Sequence, residues 1–132
     1  MNSFELTIVT PEGSKYQGNA ERVTVRTTDG AVSILHGHIN YAAALGMGKA
    51  EIVIGGDVRT ACCIGGVLAM TNNIARIVAT TFEWADEIDK GRAETALMRA
   101  EKALQDPNLS PEEKKPFEAA RRRALVRMSC AK

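Results

Sequence analysis

The stretch Lys49-Ala50-Glu51-Ile52-Val53-Ile54-Gly55-Gly56-Asp57-Val58-Arg59-Thr60-Ala61-Cys62-Cys63-Ile64 decides the fold. Two β-rich runs flank a Gly-Gly-Asp turn, where glycine supplies the left-handed backbone that a tight hairpin requires. The same grammar extends in both directions. Upstream, Phe4, Leu6 and Ile8 point one way while Glu5 and Thr7 point the other, and Pro11-Glu12-Gly13 turns the chain. Val23 and Val25 alternate with Arg22, Thr24 and Arg26, and Asp29-Gly30 precedes a run from Val32 to Leu35. Downstream, Gly65-Gly66, Val67 to Met70, Asn72-Asn73 and Ile74 to Thr80 read as a further hairpin. A period near two, broken by glycine every eight to twelve residues with no helix between the runs, predicts a sandwich or flattened barrel rather than a parallel sheet.

From about Ala85 the period becomes 3.6. Ala93, Ala96, Leu97, Ala100, Ala103 and Leu104 form one narrow apolar stripe, preceded by Asp86, Glu87 and Asp89, whose charges suit a helix start. Gln105 to Leu109 reads as a loop. Ser110-Pro111-Glu112-Glu113 then offers a capping serine, a proline at the first helical position and a glutamate to complete the box. Pro116 either breaks this second helix or marks its real start. Phe117, Ala120, Ala124 and Met128 line its apolar side. The fold class expected is therefore mainly β with α: an antiparallel β-sandwich over residues 1–84, followed by an antiparallel two-helix hairpin over residues 85–132.

The chain has 132 residues and a formal charge of +1, which gives no overall reason to bind nucleic acid or an anionic membrane. That balance is uneven: residues 1–84 carry 6 basic and 7 acidic side chains, and residues 85–132 carry 11 and 9. A densely charged hairpin with an alanine seam buries too little to stand alone, so it must dock on its own sandwich or on a partner. Three cysteines, two of them adjacent, argue against a stapled secreted framework and for a reducing cytosolic setting. The first residues show no secretory signal, and Ala61 to Met70 is about half the length of a membrane span, so no membrane insertion is expected.

Ile8-Val9-Thr10-Pro11-Glu12, Ile34-Leu35-His36-Gly37-His38, Gly65-Gly66 and Glu87-Ile88-Asp89-Lys90-Gly91-Arg92-Ala93, in this order and spacing, resemble the epsilon subunit of bacterial F-type ATP synthases over essentially the whole chain. The resemblance implies a non-catalytic rotor component, peripheral on the cytoplasmic side of the bacterial plasma membrane. Its sandwich would pack on the gamma subunit and the c-ring and help couple proton-driven rotation to ATP synthesis. Its hairpin would lie on the sandwich or extend into the catalytic alpha/beta hexamer and inhibit hydrolysis. ATP, alone or with Mg, would be a regulatory ligand of the folded hairpin.

Residues 88–93 match the family's nucleotide-binding pattern, which together with matching positions assigns Glu83, Ile88, Asp89, Arg92, Arg99, Arg123 and Arg127 to the site. Arg92 and Arg99 are seven apart, and Arg123 and Arg127 four apart, so each helix can present a basic rank to a polyphosphate. Asp89 would accept from the adenine amino group, and backbone near Ile88 would pair with the ring edge. The bland alternative is arginines solvated or paired with neighbours such as Glu94 and Glu101. His38 is assigned to a loop at a subunit interface. His36 stands where relatives usually have proline, Ala31 where they often have glutamate, and Val32-Ser33 where they have Leu-Gly. No metal or catalytic residue is expected: two histidines at i, i+2 lack further ligands, and of Cys62 and Cys63 only one could face a given site. Gly91 reads as a tolerated surface residue or a soft point, Arg121-Arg122-Arg123 as a solvated face, and Trp84 as an anchor between hairpin and sandwich. The competing readings are a nucleotide- or nucleic-acid-binding module unrelated to the synthase, and a thiol enzyme using Cys62 or Cys63 with His38.

Overall fold

The structure, a computed structural model, describes residues 2–131. Eight strands come first: β1 Phe4–Thr10, β2 Gly13–Ala20, β3 Arg22–Thr27, β4 Gly30–Leu35, β5 Tyr41–Ala44, β6 Met47–Ile54, β7 Asp57–Thr71 and β8 Ile74–Trp84. A 3-10 turn over Ala85–Glu87 leads to helices α1, Lys90–Leu104, and α2, Pro111–Cys130. The sandwich and the two-helix hairpin expected from the two periods are both present.

The strands form one hydrogen-bonded path, β2-β1-β8-β7-β6-β3-β4, with β5 also on β7. The fold turns on β7. Its first half, Asp57 to Ile64, pairs with β6, and its second half, Val67 to Met70, pairs with β5. Gly65 and Gly66, at φ +70° and +112°, bend the strand between the two halves. The sequence signal at Gly65-Gly66 is that of a break between strands; instead β7 continues through them, because β8 stays paired on both sides of the bend. The corner is closed by backbone bonds from Leu45 N–H to Gly66 O and from Gly65 N–H to Gly46 O, both 2.9 Å. One pair departs from the antiparallel pattern: β1 runs parallel to β8, with Leu6 opposite Ala75 and Ile8 opposite Ile77. Sequence spacing could not reveal this pair, since its partners are about 70 residues apart.

Phe4, Leu6 and Ile8 alternate inward as expected and meet Val23, Val25, Ile34, Ile52, Leu68, Met70, Ile77 and Phe82 in one core. Burying each such side chain is worth about 1.5–3 kcal/mol. At Ala61 to Ile64 the alternation stops, and four consecutive residues are buried. Both faces are covered there. Cys63 points into the sandwich core, while Cys62 and Ile64 pack with Cys130 and the half-buried Met47, Ile88 and Val126 beneath the hairpin.

That second cluster anchors the hairpin, a role expected of Trp84. Trp84 instead belongs to the sandwich core: its indole N–H donates to Lys15 O at 3.3 Å, and its ring meets Tyr16 and Phe82 edge to face. The Arg59 guanidinium lies 3.8 Å from the ring centroid. An indole so surrounded cannot leave with the helices.

The first helix also begins later than its acidic run suggests. Ala85–Glu87 makes a separate 3-10 turn, and Asp89 caps α1 by accepting from Arg92 N–H at 3.0 Å. The α1 seam buries Ala93 and Ala100, and Ala124 answers from α2. Small residues let the helices approach closely but bury little area. Helix α2 runs unbroken through Pro116, forgoing only the proline's own backbone bond.

Its start is the predicted capping box: Glu113 N–H donates to Ser110 Oγ at 3.2 Å, and Ser110 N–H donates to Glu113 Oε1 at 3.0 Å. The backbone bond from Ser110 holds the Glu113 carboxyl below its ordinary 4.5. A depressed carboxyl contributes stability above pH 4.5 that is lost as the pH falls through the folded value. Replacing Ser110 with alanine is expected to cost about 0.5–2 kcal/mol through the lost cap, whereas replacing Glu113 with glutamine, which removes the titrating carboxyl, is expected to reduce this acid dependence, measured as helical circular dichroism against pH. Identical acid profiles for the native chain and the Glu113 variant would exclude the box as its source.

Candidate functional site

A cleft of about 550 Å3 lies between sandwich and hairpin. The β1–β2 turn brings Glu12, β2 brings Lys15, and the end of β8 brings Glu83. The segment after β8 adds Glu87, Ile88 and Asp89, α1 adds Arg92, and α2 adds Arg123 and Arg127. Six of the seven residues assigned from sequence therefore share one cavity. The exception is Arg99, exposed and about 10 Å further along α1, beside a separate shallow groove with Lys102 and Phe117.

The charges around the cleft fall into two groups. Most carboxylates are committed. Glu83 accepts from Arg127 Nε at 2.7 Å, with both side chains about 30% exposed, at 31% and 30%. A charged hydrogen bond at that depth is worth about 1.5–3 kcal/mol and ties β8 to α2. Glu87 accepts from Trp84 N–H at 3.1 Å, and Asp89 Oδ1 caps α1. The cations are less committed: among the described residues, Lys15, Arg92 and Arg123 have no carboxylate within 4.0 Å. Three such cations around a roomy polar cavity suit a phosphate-bearing anion, because guanidinium forks match phosphate oxygens. The Arg92 amide in the first turn of α1 adds no further attraction, since Asp89 already occupies it. Asp89 keeps its second carboxylate oxygen for another donor.

Lys15 and Glu12 escaped the sequence reading. Nothing in Ser14-Lys15-Tyr16-Gln17 marks a site; Lys15 joins it only because β2 lies beside β1, which in turn lies beside β8.

The two adjacent thiols of β7 are held neutral. Burial pushes Cys63 up to about 11 from an ordinary 9.0. Cys62 rises to about 12, through burial first and the neighbouring Cys130 thiol second, against the opposing pull of Arg127. Neutral buried thiols of this kind are poor nucleophiles. His38 lies outside the cleft in the β4–β5 loop, its ring edge to face with Tyr41 at 5.7 Å and its Nδ1 2.8 Å from Ile39 O. His36 Nδ1 lies 2.8 Å from Ser3 O, so the two imidazoles serve different backbone partners. Leu35 and Ile39 beside them are 53% and 77% exposed, two large apolar side chains next to the histidine loop.

A sandwich that carries a two-helix hairpin over a polar, cation-lined cleft defines a recognisable class. The β-sandwich domain of the ATP synthase delta/epsilon chain matches residues 3–85, and the long α-helix domain matches residues 86–132. The ATP synthase epsilon chain of Caldicellulosiruptor bescii is 39% identical over 131 residues, covering 99% of this chain and 95% of its own length. That of Bacillus pumilus is 34% identical over 131 residues, covering 99% and 98%. A chain in the Euglena gracilis mitochondrial ATP synthase structure shares the fold, with a TM-score of 0.82 at 22% identity over 96% of this chain and 79% of that one. The chain belongs to the ATP synthase delta/epsilon chain family. Within it the similarity is to ATP synthase epsilon chains of bacteria.

Proposed function

We propose that the chain works in the central stalk, where its sandwich, residues 1–84, binds the gamma subunit and the c-ring and helps couple proton-driven rotation to ATP synthesis. It sits peripherally on the cytoplasmic side of the bacterial plasma membrane. The hairpin, residues 85–132, regulates. Docked, it leaves the machine free; extended into the alpha/beta hexamer, it inhibits hydrolysis. His38 and the exposed Leu35 and Ile39 supply an end of the sandwich suited to another subunit.

ATP is the ligand proposed to bias this choice, and the uncommitted cations Lys15, Arg92 and Arg123 carry that reading. Arg92 and Arg123 bind phosphate oxygens with Lys15, Asp89 accepts from the adenine amino group, and backbone near Ile88 meets the ring edge. Glu83 and Arg127 hold the two walls together. Arg99 reaches only the far end of a triphosphate. Because the cleft exists only when the hairpin is docked, ATP binds one state and shifts the population toward it. At 100 times its Kd the ligand adds about 2.7 kcal/mol to the docked state. Hydrogen exchange of the isolated chain tests this: ATP is expected to slow exchange across α1 and α2 and leave the β3–β4 hairpin unchanged. Equal rates with and without ATP would remove the regulatory reading.

A further inference from the structure

The hairpin is fastened to the sandwich by two adjacent pairs. Cys62 and Glu83 are direct cross-strand partners on β7 and β8, and Arg127 and Cys130 are three apart on one face of α2. The Glu83–Arg127 bond at 2.7 Å therefore brings Cys130 over Cys62, and both cysteines lie in the same buried cluster with Ile64. Cys63 points to the opposite side of the strand, into the sandwich core. All three thiols are free.

We infer that Cys62 and Cys130 form a reversible disulfide site that locks the hairpin onto the sandwich when the chain meets a small-molecule disulfide. The steps balance by thiol exchange. The Cys130 thiolate attacks the small disulfide, forming a mixed disulfide and releasing one small thiol. The Cys62 thiolate then attacks the Cys130 sulfur and expels the second small thiol. The protein loses two electrons and two protons, and the small disulfide becomes two thiols. When the hairpin is docked, Cys62 is 0% and Cys130 4% exposed, so the first step needs an opened hairpin. That kinetic part rests on the hairpin mobility proposed above; the site itself does not.

The full chain incubated with oxidised glutathione is expected to lose two hydrogens in intact mass. Peptide mapping should join Cys62 to Cys130 and leave Cys63 free, with dithiothreitol reversing the change. Cys62→Ala should stop at a mixed disulfide on Cys130, and Cys63→Ala should link normally. In the linked chain, hydrogen exchange of α2 should slow roughly a hundredfold or more, because the crosslink restricts the opened state. A link to Cys63, or between two chains, would overturn the site. If the native chain does not react, refolding from urea with oxidised glutathione separates the causes. A Cys62–Cys130 link formed only on refolding upholds the site and overturns hairpin mobility; no such link even then overturns the site.

Discussion

Replacing Arg92 and Arg123 together with alanine is expected to weaken ATP binding to the isolated chain by at least about a hundredfold, measured by titration calorimetry. Each removes a charged hydrogen bond to phosphate, worth about 1.5–3 kcal/mol, so the pair accounts for about 3–6 kcal/mol. The fold should survive. Arg92 is exposed, Arg123 is half-buried, and among the described residues neither has a carboxylate within 4.0 Å to leave unpaired. Arg99→Ala provides the contrast, because Arg99 lies outside the cleft and should change affinity only slightly. Unchanged affinity in the double variant would mean that ATP, if bound, is held elsewhere. Arg127→Ala is a poorer probe, since it strands the half-buried Glu83 and loosens the hairpin whatever the ligand does.

The second large effect concerns stability. Gly66→Ala is expected to destabilise the chain by about 2–6 kcal/mol, combining an unfavourable backbone region with a clash in a packed corner. A Cβ there would sit 2.1 Å from Val78 O and 2.7 Å from Ala79 Cα, both backbone atoms of the paired strand β8, with φ at +112°. Neither can move without opening the β7–β8 ladder. Gly55→Ala separates the two causes, because its φ is +59° while nothing lies within 4 Å of the added atom. It should cost only about 1–2 kcal/mol. Urea unfolding checks both, and equal costs at the two positions would show that the corner accommodates the methyl group.

The same corner shows how far local sequence carries. Hairpins closed by Asp29-Gly30, Gly55-Gly56 and Asn72-Asn73 follow from turn chemistry flanked by β-formers, and the structure pairs them so. The change of period at Ala85 separates strand from helix because each element buries one face with its own repeat. Gly65-Gly66 carries the same local signal as a turn, yet the chain bends there without reversing, since both halves of β8 follow it. Only the partner strand distinguishes these outcomes.

Ala61-Cys62-Cys63-Ile64 lacks the polar alternation of its neighbours, as a strand covered on both faces should, and this is where the hairpin docks. Trp84, by contrast, drew attention by size and position, but a large aromatic at a boundary does not say which side it serves. Of the cleft, Glu83, Ile88, Asp89, Arg92, Arg123 and Arg127 were legible through family resemblance and helical spacing. Arg99 fitted the spacing too, but seven residues of helix carry it about 10 Å along the axis. Lys15 was not legible, because its place depends on strand order across the sheet.

The most direct test of the account is the rate of ATP hydrolysis by an alpha/beta/gamma complex with and without this chain, measured at low and at saturating ATP. The chain is expected to bind through gamma and to slow hydrolysis at low ATP, with the inhibition relieved as ATP rises and draws the hairpin onto the sandwich. Equal rates with and without the bound chain at both concentrations would contradict it.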